Sequence, residues 1–489
     1  MKFVNRTTIQ DPDAAKSQAE RVLPPEFPAI MLLLDYKVLQ NGALHKMKLK
    51  PSLPTKALPA RPKGNGRYPT PSKAPNPSPA ELLAHSLIES MHHSRPGLEL
   101  DSLSKYFGLL PSRVGCSAAL DDTLRCLVSA HQLALHGVPI NNCLDLNLYG
   151  RALQSIQKAL ENPAEYVSSS TLCAVSLIAR LEATFSQNPS REITEMLHIK
   201  GFARLIQEYG VPREDDILGA NVVLANVLTL VMYAIEQGED CILIRPEWIR
   251  VLERPLGRPH FFLMGKRLYR MLIVWPTLLR QMKIHRLSPS TENLDALLLR
   301  LKSITALLSE IGSTVEYYMS DEKMVVIQDS VIPGSPVPKV YNFLDYNLPH
   351  MMIGHAESTI IINRMVSFLT SSPELREDIE MENYALSQRI WMAIEWARLR
   401  KPFGPRAVTS AVGLSVVYAP LEMRKWLVDM VNDLKMLPGG VKPQLTFETL
   451  KHQSLAVSGL CDFHPMTPED FEPQRTCTRS DEVRVKEQL

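Results

Sequence analysis

The sequence predicts an all-α protein: a large, irregular helical bundle preceded by a disordered, basic, proline-rich N-terminal segment. Apolar residues recur every three or four positions from residue 81 onward, which is the spacing of one face of a helix. Alternating strand patterns are scarce, and 322–332 is the best of them. The 489 residues are 45% hydrophobic and 22% charged, which is typical of a globular protein with a sizeable core. This composition excludes a chain disordered throughout, a collagen and a coiled-coil rod.

The N-terminal prediction depends on residues 36–80. This segment contains nine basic residues, nine prolines and no acidic residue. Because proline lacks a backbone N–H and disfavours helix, we expect an extended and mobile chain there. The net charge of +2 for the whole protein therefore combines a +9 segment with −7 for the remainder. A uniformly basic nucleic-acid binder is excluded, but a local basic arm is not.

Eight cations of this segment are candidates for nuclear import or for contacts with nucleic-acid phosphates: Lys46, Lys48, Lys50, Lys56, Arg61, Lys63, Arg67 and Lys73. Basic side chains on an extended segment can neutralise phosphates and release counterions, which gives salt-dependent binding with little sequence preference. Residues 45–50, "HKMKLK", are the densest part and also fit an import signal. A solvated linker with no binding role explains the same charge run.

Helical patterns follow one another through the rest of the chain. The predicted helices cover 81–93, 118–136, 146–160, 172–185 after a capping run at 168–171, 199–209, 259–284, 294–311, 355–371, 375–399 and 405–435. Short proline and glycine turns between them indicate antiparallel packing, and no period of 34 or 40 residues supports a regular solenoid. We therefore divide the chain into a mostly disordered part (1–80), a helical domain (81–455) and a flexible tail (456–489).

Residues 217–235 form a run of 19 residues without a charge, which is long enough to cross a bilayer. Asn221, Asn226 and Thr229 lie inside the run, and both flanks are acidic. Polar groups are costly in lipid, and basic residues normally flank one side of a span. We expect a buried helix here and no membrane association.

The seven cysteines contain no CxxC pair, which argues against a zinc ribbon, a zinc finger or a dithiol redox site. Most of them lie among apolar residues, where a free cysteine behaves as a small hydrophobe. We expect reduced, structural cysteines in an intracellular protein. The first thirty residues carry charges throughout, so a secretory signal is not expected either.

Motifs for catalysis are missing. The sequence has no GxSxG, no Walker loop and no HExxH, and the histidine pairs 131/136 and 350/355 are five residues apart. The acidic pairs 121/122 and 215/216 could suggest a magnesium–diphosphate site, but they fit better as charges at helix N-termini. His198 is expected to be a hydrogen-bonded packing residue, and Gly201 to allow close helix approach. We predict no enzyme activity, no catalytic residue, no metal ligand and no cofactor.

Residues 117–212 resemble the fungal-specific transcription factor domain, the helical regulatory region that usually follows a zinc binuclear cluster. The resemblance is carried by a Tyr-Ala-Leu helix (Tyr149, Ala152, Leu153, Ala159, Leu160), a helix ending near a glutamate and an aromatic residue (Glu182, Phe185), and a His-x-x-Gly helix (His198, Gly201, Leu205, Ile206). It covers about a hundred residues well and the helices to about 435 only in general character.

One departure from that family matters for function. The family's zinc module needs six closely spaced cysteines before the helical region, whereas the first cysteine here is Cys116. Sequence-specific DNA recognition by that route is therefore not expected. The resemblance implies a nuclear, transcription-factor-like regulator of fungal gene expression, plausibly of a metabolic or secondary-metabolite gene cluster. Its helical domain would bind protein partners or a small effector, the basic arm would supply nuclear entry or weak DNA affinity, and the protein could form homo- or heterodimers.

Two alternatives remain open at this point. A helical adaptor or co-regulator without DNA contact would share the same helical domain. An all-helical biosynthetic enzyme is a weaker alternative, since only the acidic pairs and the large apolar interior favour it.

Overall fold

The structure is a computed structural model that describes residues 76–93, 95–100, 105–185, 191–254, 259–435 and 445–462. Apart from Asn76, these residues belong to one unit, Pro77–Leu489. Within them the chain forms sixteen α-helices, several short 3-10 turns and one two-stranded sheet. The predicted all-α class is therefore confirmed for the described part of the chain.

The first eight helices form the N-terminal half of the domain. They are α1 (Pro79–His92), α2 (Ala118–Leu135), α3 (Leu146–Glu161), α4 (Ser169–Phe185), α5 (Arg191–Tyr209), α6 (Ile217–Ala225), α7 (Val227–Gln237) and α8 (Pro246–Glu253). Helix α2 packs against α1, α3 and α4, and α4 also packs against α5 and α6. Helix α4 therefore lies at the centre of this half.

The remaining elements form the C-terminal half. They are α9 (Pro259–Leu287), α10 (Thr291–Met319), β1 (Val325–Asp329), β2 (Lys339–Phe343), α11 (Asn347–Leu369), α12 (Pro373–Met392), α13 (Ile394–Leu399), α14 (Thr409–Ser415), α15 (Leu421–Leu434) and α16 (Phe447–Ala456). Helix α9 packs against α7 and α8 on one side and against α10 and α11 on the other, so it joins the two halves.

Local sequence explains most helix ends. The Asp145 carboxylate accepts hydrogen bonds from two backbone N–H groups at the start of α3, and Ser78 forms a capping box with Glu81 at the start of α1. The predicted apolar stripes are also the buried faces. In α10, for example, Leu297, Leu301, Ile304, Leu308 and Ile311 are all buried. Amphipathic spacing therefore specifies both the helices and the way they pack.

Residues 217–235 do not form the single helix we predicted. They form α6 and α7, bent by 55° at Asn226. The Asn226 side chain donates to the Val222 carbonyl (2.7 Å) and to Ser176 Oγ (2.9 Å) of α4. Because this side chain competes for hydrogen bonds inside the helix and bonds to another helix, it accounts for the break. Among the described residues no single helix is long and apolar enough to cross a membrane, and this bent pair meets that test only jointly.

Two other predicted helices are also divided. The helix expected at 375–399 is interrupted at Ala393, and α13 then packs against β2. The helix expected at 405–435 is divided into 3-10 turns and helices α14 and α15, with Ala419 in an extended conformation before Pro420. Proline disfavours helical geometry in the preceding residue, so this break has a local cause. Helices α8 and α16 were not predicted at all.

The strand expected within 322–332 is β1, which pairs antiparallel with β2. The pattern did not predict β2. The register places Ile327 opposite Tyr341, and the loop between the strands turns at Gly334, which has a φ of 71°. Strand β2 faces the body of the domain, where Phe343 packs edge-on against Trp396 of α13. The hairpin therefore packs against the helical bundle, and the described part of the protein remains in the all-α class.

Candidate functional site

The predicted import or phosphate-contacting residues, from Lys46 to Lys73, lie outside the described residues, as does Cys477. The structure therefore assigns no position to the basic arm. The candidate site that it does describe lies in the helices that carry the family resemblance, α3, α4 and α5.

Three polar residues from these three helices form one buried cluster. His198 of α5 lies with Nε2 at 2.5 Å from Glu182 Oε2 of α4, and the Tyr149 hydroxyl of α3 donates to the same oxygen at 3.4 Å. Glu182 and His198 are each at most 6% exposed, and Tyr149 is 3% exposed. A buried carboxylate needs such partners because its desolvation is costly. We call these residues the Tyr–Glu–His cluster.

The cluster confirms the interpretation of His198 as a hydrogen-bonded packing residue. The Glu182 oxygen is shared by two donors, and all three side chains are shielded from solvent. In this arrangement the carboxylate orients the imidazole and the phenol and ties three helices together. The cluster therefore fixes the positions of α3, α4 and α5 relative to one another.

A second polar group lies on another face of α4. Arg180 donates to the Ala225 carbonyl (2.7 Å) and to Asn226 Oδ1 (3.2 Å), so its cation lies at the C-terminus of α6. Ser176 accepts from Asn226 and lies 3.4 Å from the Tyr106 hydroxyl. Burial raises the pKa of Tyr106 to about 12, so it remains protonated. These contacts hold the bend between α6 and α7 against α4.

The acidic pair 121/122 does not form a metal site. Asp121 accepts from the Gly115 backbone N–H, and Asp122 binds Arg125 (2.7 Å), Arg151 (3.1 Å) and the Ser155 hydroxyl (2.6 Å). Both carboxylates lie in the first turns of α2, as the helix-start interpretation predicts. In the second pair, Asp216 is the N-cap of α6.

The histidines of the two spaced pairs also have structural partners. His131 Nε2 lies 2.6 Å from the Leu98 carbonyl oxygen, and His355 Nε2 lies 3.0 Å from that of Leu308. Burial lowers the pKa of both imidazoles, which keeps them neutral near pH 7. Within the described ranges no group of three or more His, Cys, Asp or Glu side chains is placed to hold a metal ion.

Four cysteines fit the structural role that the sequence predicts. Cys126, Cys143, Cys173 and Cys241 are buried and free. Burial raises the pKa of the Cys126 thiol to about 12 and that of Cys241 to about 11, which makes both unreactive near neutral pH.

Among the described residues, one carboxyl group has a pKa raised well above its usual range. Burial raises the pKa of Glu357, on α11, to about 7, and a hydrogen bond with Ser410 opposes the shift. The sequence analysis did not select Glu357, because a single glutamate in a helical pattern does not indicate which residues will surround it in the fold.

A buried arginine in the C-terminal half was also missed. Arg364 of α11 is 6% exposed and donates to the Tyr418 hydroxyl (2.8 Å), the Ser454 carbonyl (2.7 Å) and the Leu414 carbonyl (3.2 Å). The guanidinium also lies over the Tyr418 ring, 5.0 Å from its centroid. Asn383 of α12 donates to the same hydroxyl at 3.0 Å. One cation therefore joins α11 to α14 and α16, which are far apart in the chain.

Comparisons with known proteins give no family for this chain. No family model matches it, and no curated protein and no solved structure is significantly similar.

Proposed function

We propose that this protein is a transcription-factor-like regulator of fungal gene expression that acts in the nucleus through its helical domain. Its targets would be a metabolic or secondary-metabolite gene cluster. The helical domain would bind a protein partner or a small effector, and the arm at 36–80 would supply nuclear import or weak DNA affinity. No zinc-cluster DNA reader is part of the proposal.

The observation that carries this proposal is the Tyr–Glu–His cluster. Tyr149, Glu182 and His198 were singled out by resemblance, one from each of three separate sequence motifs. They meet within hydrogen-bond distance in the buried interior. Apolar patterns are easily matched by chance. A buried hydrogen-bonded contact that joins one residue from each of three motifs is a more specific feature. This agreement supports the resemblance and, with it, the regulatory role.

The arm is tested by charge removal in the full-length chain. Lys46, Lys48, Lys50 and Lys56 are changed to Gln in a fluorescent fusion expressed in a fungal host. The matched control replaces four cations of the helical domain whose side chains are all more than half exposed, Arg151, Arg213, Arg270 and Lys339. We expect the arm variant to lose nuclear accumulation and the control to keep it.

DNA affinity is measured separately on the purified proteins. If all four arm lysines contact phosphates, the slope of log K against log salt should become shallower by about 3 to 4. A protein that is cytoplasmic with its arm intact and shows no salt-dependent DNA retention would refute the import and DNA-binding parts of the proposal.

The regulatory role itself is tested by chromatin occupancy and transcript profiling in a deletion strain. We expect the transcripts of one gene cluster to change together and the protein to occupy their promoters. If occupancy and partner capture are unchanged after deletion of 36–80, the protein is an adaptor without DNA contact. Unchanged transcripts with loss of a metabolite would favour an enzyme instead.

A further inference from the structure

The outer edge of β1 is not paired with another strand in the described part of the chain. The sheet has the order β1–β2, and β2 is the strand that packs against α12 and α13. The end of β1 is nevertheless anchored to α13. The Ser330 hydroxyl donates to the Glu395 carboxylate at 2.7 Å, and the Val331 N–H donates to the same carboxylate at 3.2 Å. The open edge is therefore held in place on the domain.

The hydrogen bonds at the two ends of the hairpin show which backbone groups of β1 face β2. The Met324 carbonyl accepts from the Leu344 N–H at 2.9 Å, and the Ser330 N–H donates to the Pro338 carbonyl at 2.9 Å. In an antiparallel pair, every second residue makes such bonds. The even-numbered residues from Met324 to Ser330 therefore face β2, and the odd-numbered residues between them direct their backbone groups to the outer edge.

Three residues of β1, Val325, Ile327 and Asp329, thus form the edge. The Val325 N–H is already bonded to the Asp321 carbonyl at 3.1 Å, just before the strand. Among the described residues no other hydrogen bond to this edge is found. Two N–H donors, those of Ile327 and Asp329, are therefore available to a further strand, together with the three carbonyl oxygens.

The side chains at the centre of this edge are apolar. Ile327 is 60% exposed, although it lies on the same face of the sheet as Tyr341, its buried neighbour in β2. The helical bundle thus covers this face beneath β2 and leaves it open beneath β1. Exposed edge strands are usually protected by charged side chains, proline or a bulge, but β1 carries a single charge, Asp329, at its end. Such an edge is suited to pairing with another chain.

A second copy of β1 complements this edge in the antiparallel orientation. With a two-fold axis at Ile327, each Ile327 N–H reaches the partner's Ile327 carbonyl, and each Asp329 N–H reaches the partner's Val325 carbonyl. Both available donors of each chain are then used. The same axis brings Lys323, exposed just before the strand, diagonally beside the partner's Asp329. The opposite charges at the two ends of the edge are therefore complementary.

We propose that β1 is a dimerisation strand, through which two copies of this chain form one four-stranded antiparallel sheet. The two Ile327 side chains cover each other on the open face. Because the contact is isologous, it closes with two chains and does not extend into a filament. The strand is short, so the dimer dissociates readily. This inference does not depend on the regulatory role, since a chain without that role would still dimerise.

Association is measured by sedimentation velocity of the purified full-length protein over a range of micromolar concentrations. The wild type should pass from monomer to dimer. Ile327→Pro removes an N–H that faces away from β2, so it should leave the hairpin intact and weaken dimerisation by at least about tenfold. Ile327→Lys places two like charges at the axis and should have the same effect. The matched control is Leu344→Lys, 59% exposed at the end of β2, which should dimerise like the wild type.

The orientation of the strands is tested by cross-linking. In a hydrogen-bonded antiparallel pair the Cα atoms are about 5.5 Å apart, which is within the range that a disulfide spans. Ile327→Cys should therefore give a disulfide-linked dimer with oxidised glutathione, and Leu344→Cys should not. Both variants also carry Cys116→Ser, which removes an exposed cysteine.

Charge reversal distinguishes a second copy from the strand of another protein. Lys323→Glu should weaken dimerisation, and adding Asp329→Lys to the same chain should restore part of it, although the contact of Asp329 with Lys339 is lost. Far-UV circular dichroism shows whether each variant folds, and Ile327→Lys decides if Ile327→Pro does not. A wild type that stays monomeric, undiminished dimerisation in the folded Ile327 variants, or an equal loss in Leu344→Lys would overturn the proposal.

Discussion

The Tyr–Glu–His cluster allows a quantitative prediction about the N-terminal half of the domain. The perturbation is a pair of single substitutions, Glu182→Gln and His198→Leu, together with the double variant. Glutamine keeps the length of Glu182 and an acceptor oxygen, and leucine occupies a volume similar to that of His198 but has no hydrogen-bond donor. Because the side-chain volumes change little, most of any loss of stability comes from the lost polar contact and only a small part comes from a cavity.

The expected magnitudes follow from burial. His198→Leu leaves the Glu182 carboxylate, 5% exposed, with the 3.4 Å contact to Tyr149 as a weak partner. Removing the main partner of a buried carboxylate costs about 3–5 kcal/mol. Glu182→Gln removes the charge but keeps an acceptor oxygen, so we expect a smaller loss of about 1.5–3 kcal/mol. In the double variant no carboxylate remains buried, and its loss should fall short of the sum by at least about 1.5 kcal/mol.

Urea unfolding provides the assay, followed by both far-UV circular dichroism and tryptophan fluorescence, whose transitions must coincide. The control is Lys200→Gln, on the same helix as His198. The exposed Lys200 side chain pairs with Glu236 at 3.0 Å, so this substitution should change stability by no more than about 0.5 kcal/mol. If the loss of stability in the double variant equals the sum of the two single losses within about 0.5 kcal/mol, Glu182 and His198 are not coupled. The cluster would then not hold the three helices together.

Two further predictions test other parts of the structure. Gly97 has a φ of 85°, and a Cβ there would lie 2.4 Å from the Lys401 carbonyl oxygen, so Gly97→Ala should destabilise the protein by more than about 3 kcal/mol in thermal unfolding. Gly137→Ala, at a φ of 84° with open space around it, should cost only about 1–2 kcal/mol, and equal losses would contradict the steric argument. Because burial raises the pKa of Glu357 to about 7, the folded state holds this proton more tightly than the unfolded state, and stability should fall as pH rises from about 4.5 to 7. Glu357→Gln should therefore be more stable than the wild type by about 2–3 kcal/mol at pH 8 and similar to it at pH 5, and parallel pH profiles would show that folding does not raise the pKa of Glu357.

The positions of the helices could be predicted because each helix depends mainly on the pattern of residues within it. The apolar stripes in α10 and α3 each predict both a helix and its buried face, because the residues that recur with the 3.6-residue period are the ones that become buried. Caps such as Asp145 add local information about helix ends. Pro420 is a local signal as well, and a stricter interpretation of it would have divided the helix predicted at 405–435.

Features that depend on distant residues were not predictable. Asn226 breaks a helix through its contact with Ser176, fifty residues away, and β2 exists only as the partner of β1. Among the candidate site residues, His198 was noticed, but its contact with Glu182 required the packing of α4 on α5. No spacing rule relates Arg364 to Ser454 either, because ninety residues separate them. Sequence periodicity thus describes each helix alone, whereas polar contacts between helices require the assembled fold.

The position of Arg364 also determines how far the chain can be shortened. Its guanidinium donates to the Ser454 carbonyl and contacts the Ser454 hydroxyl, so α16 satisfies part of a charge buried between α11 and α14. A chain that ended before Phe447 would leave that charge in an apolar interior with fewer acceptors. The smallest piece of this protein that folds by itself must therefore include α16, and attempts to produce the helical domain alone should extend at least to Ala456.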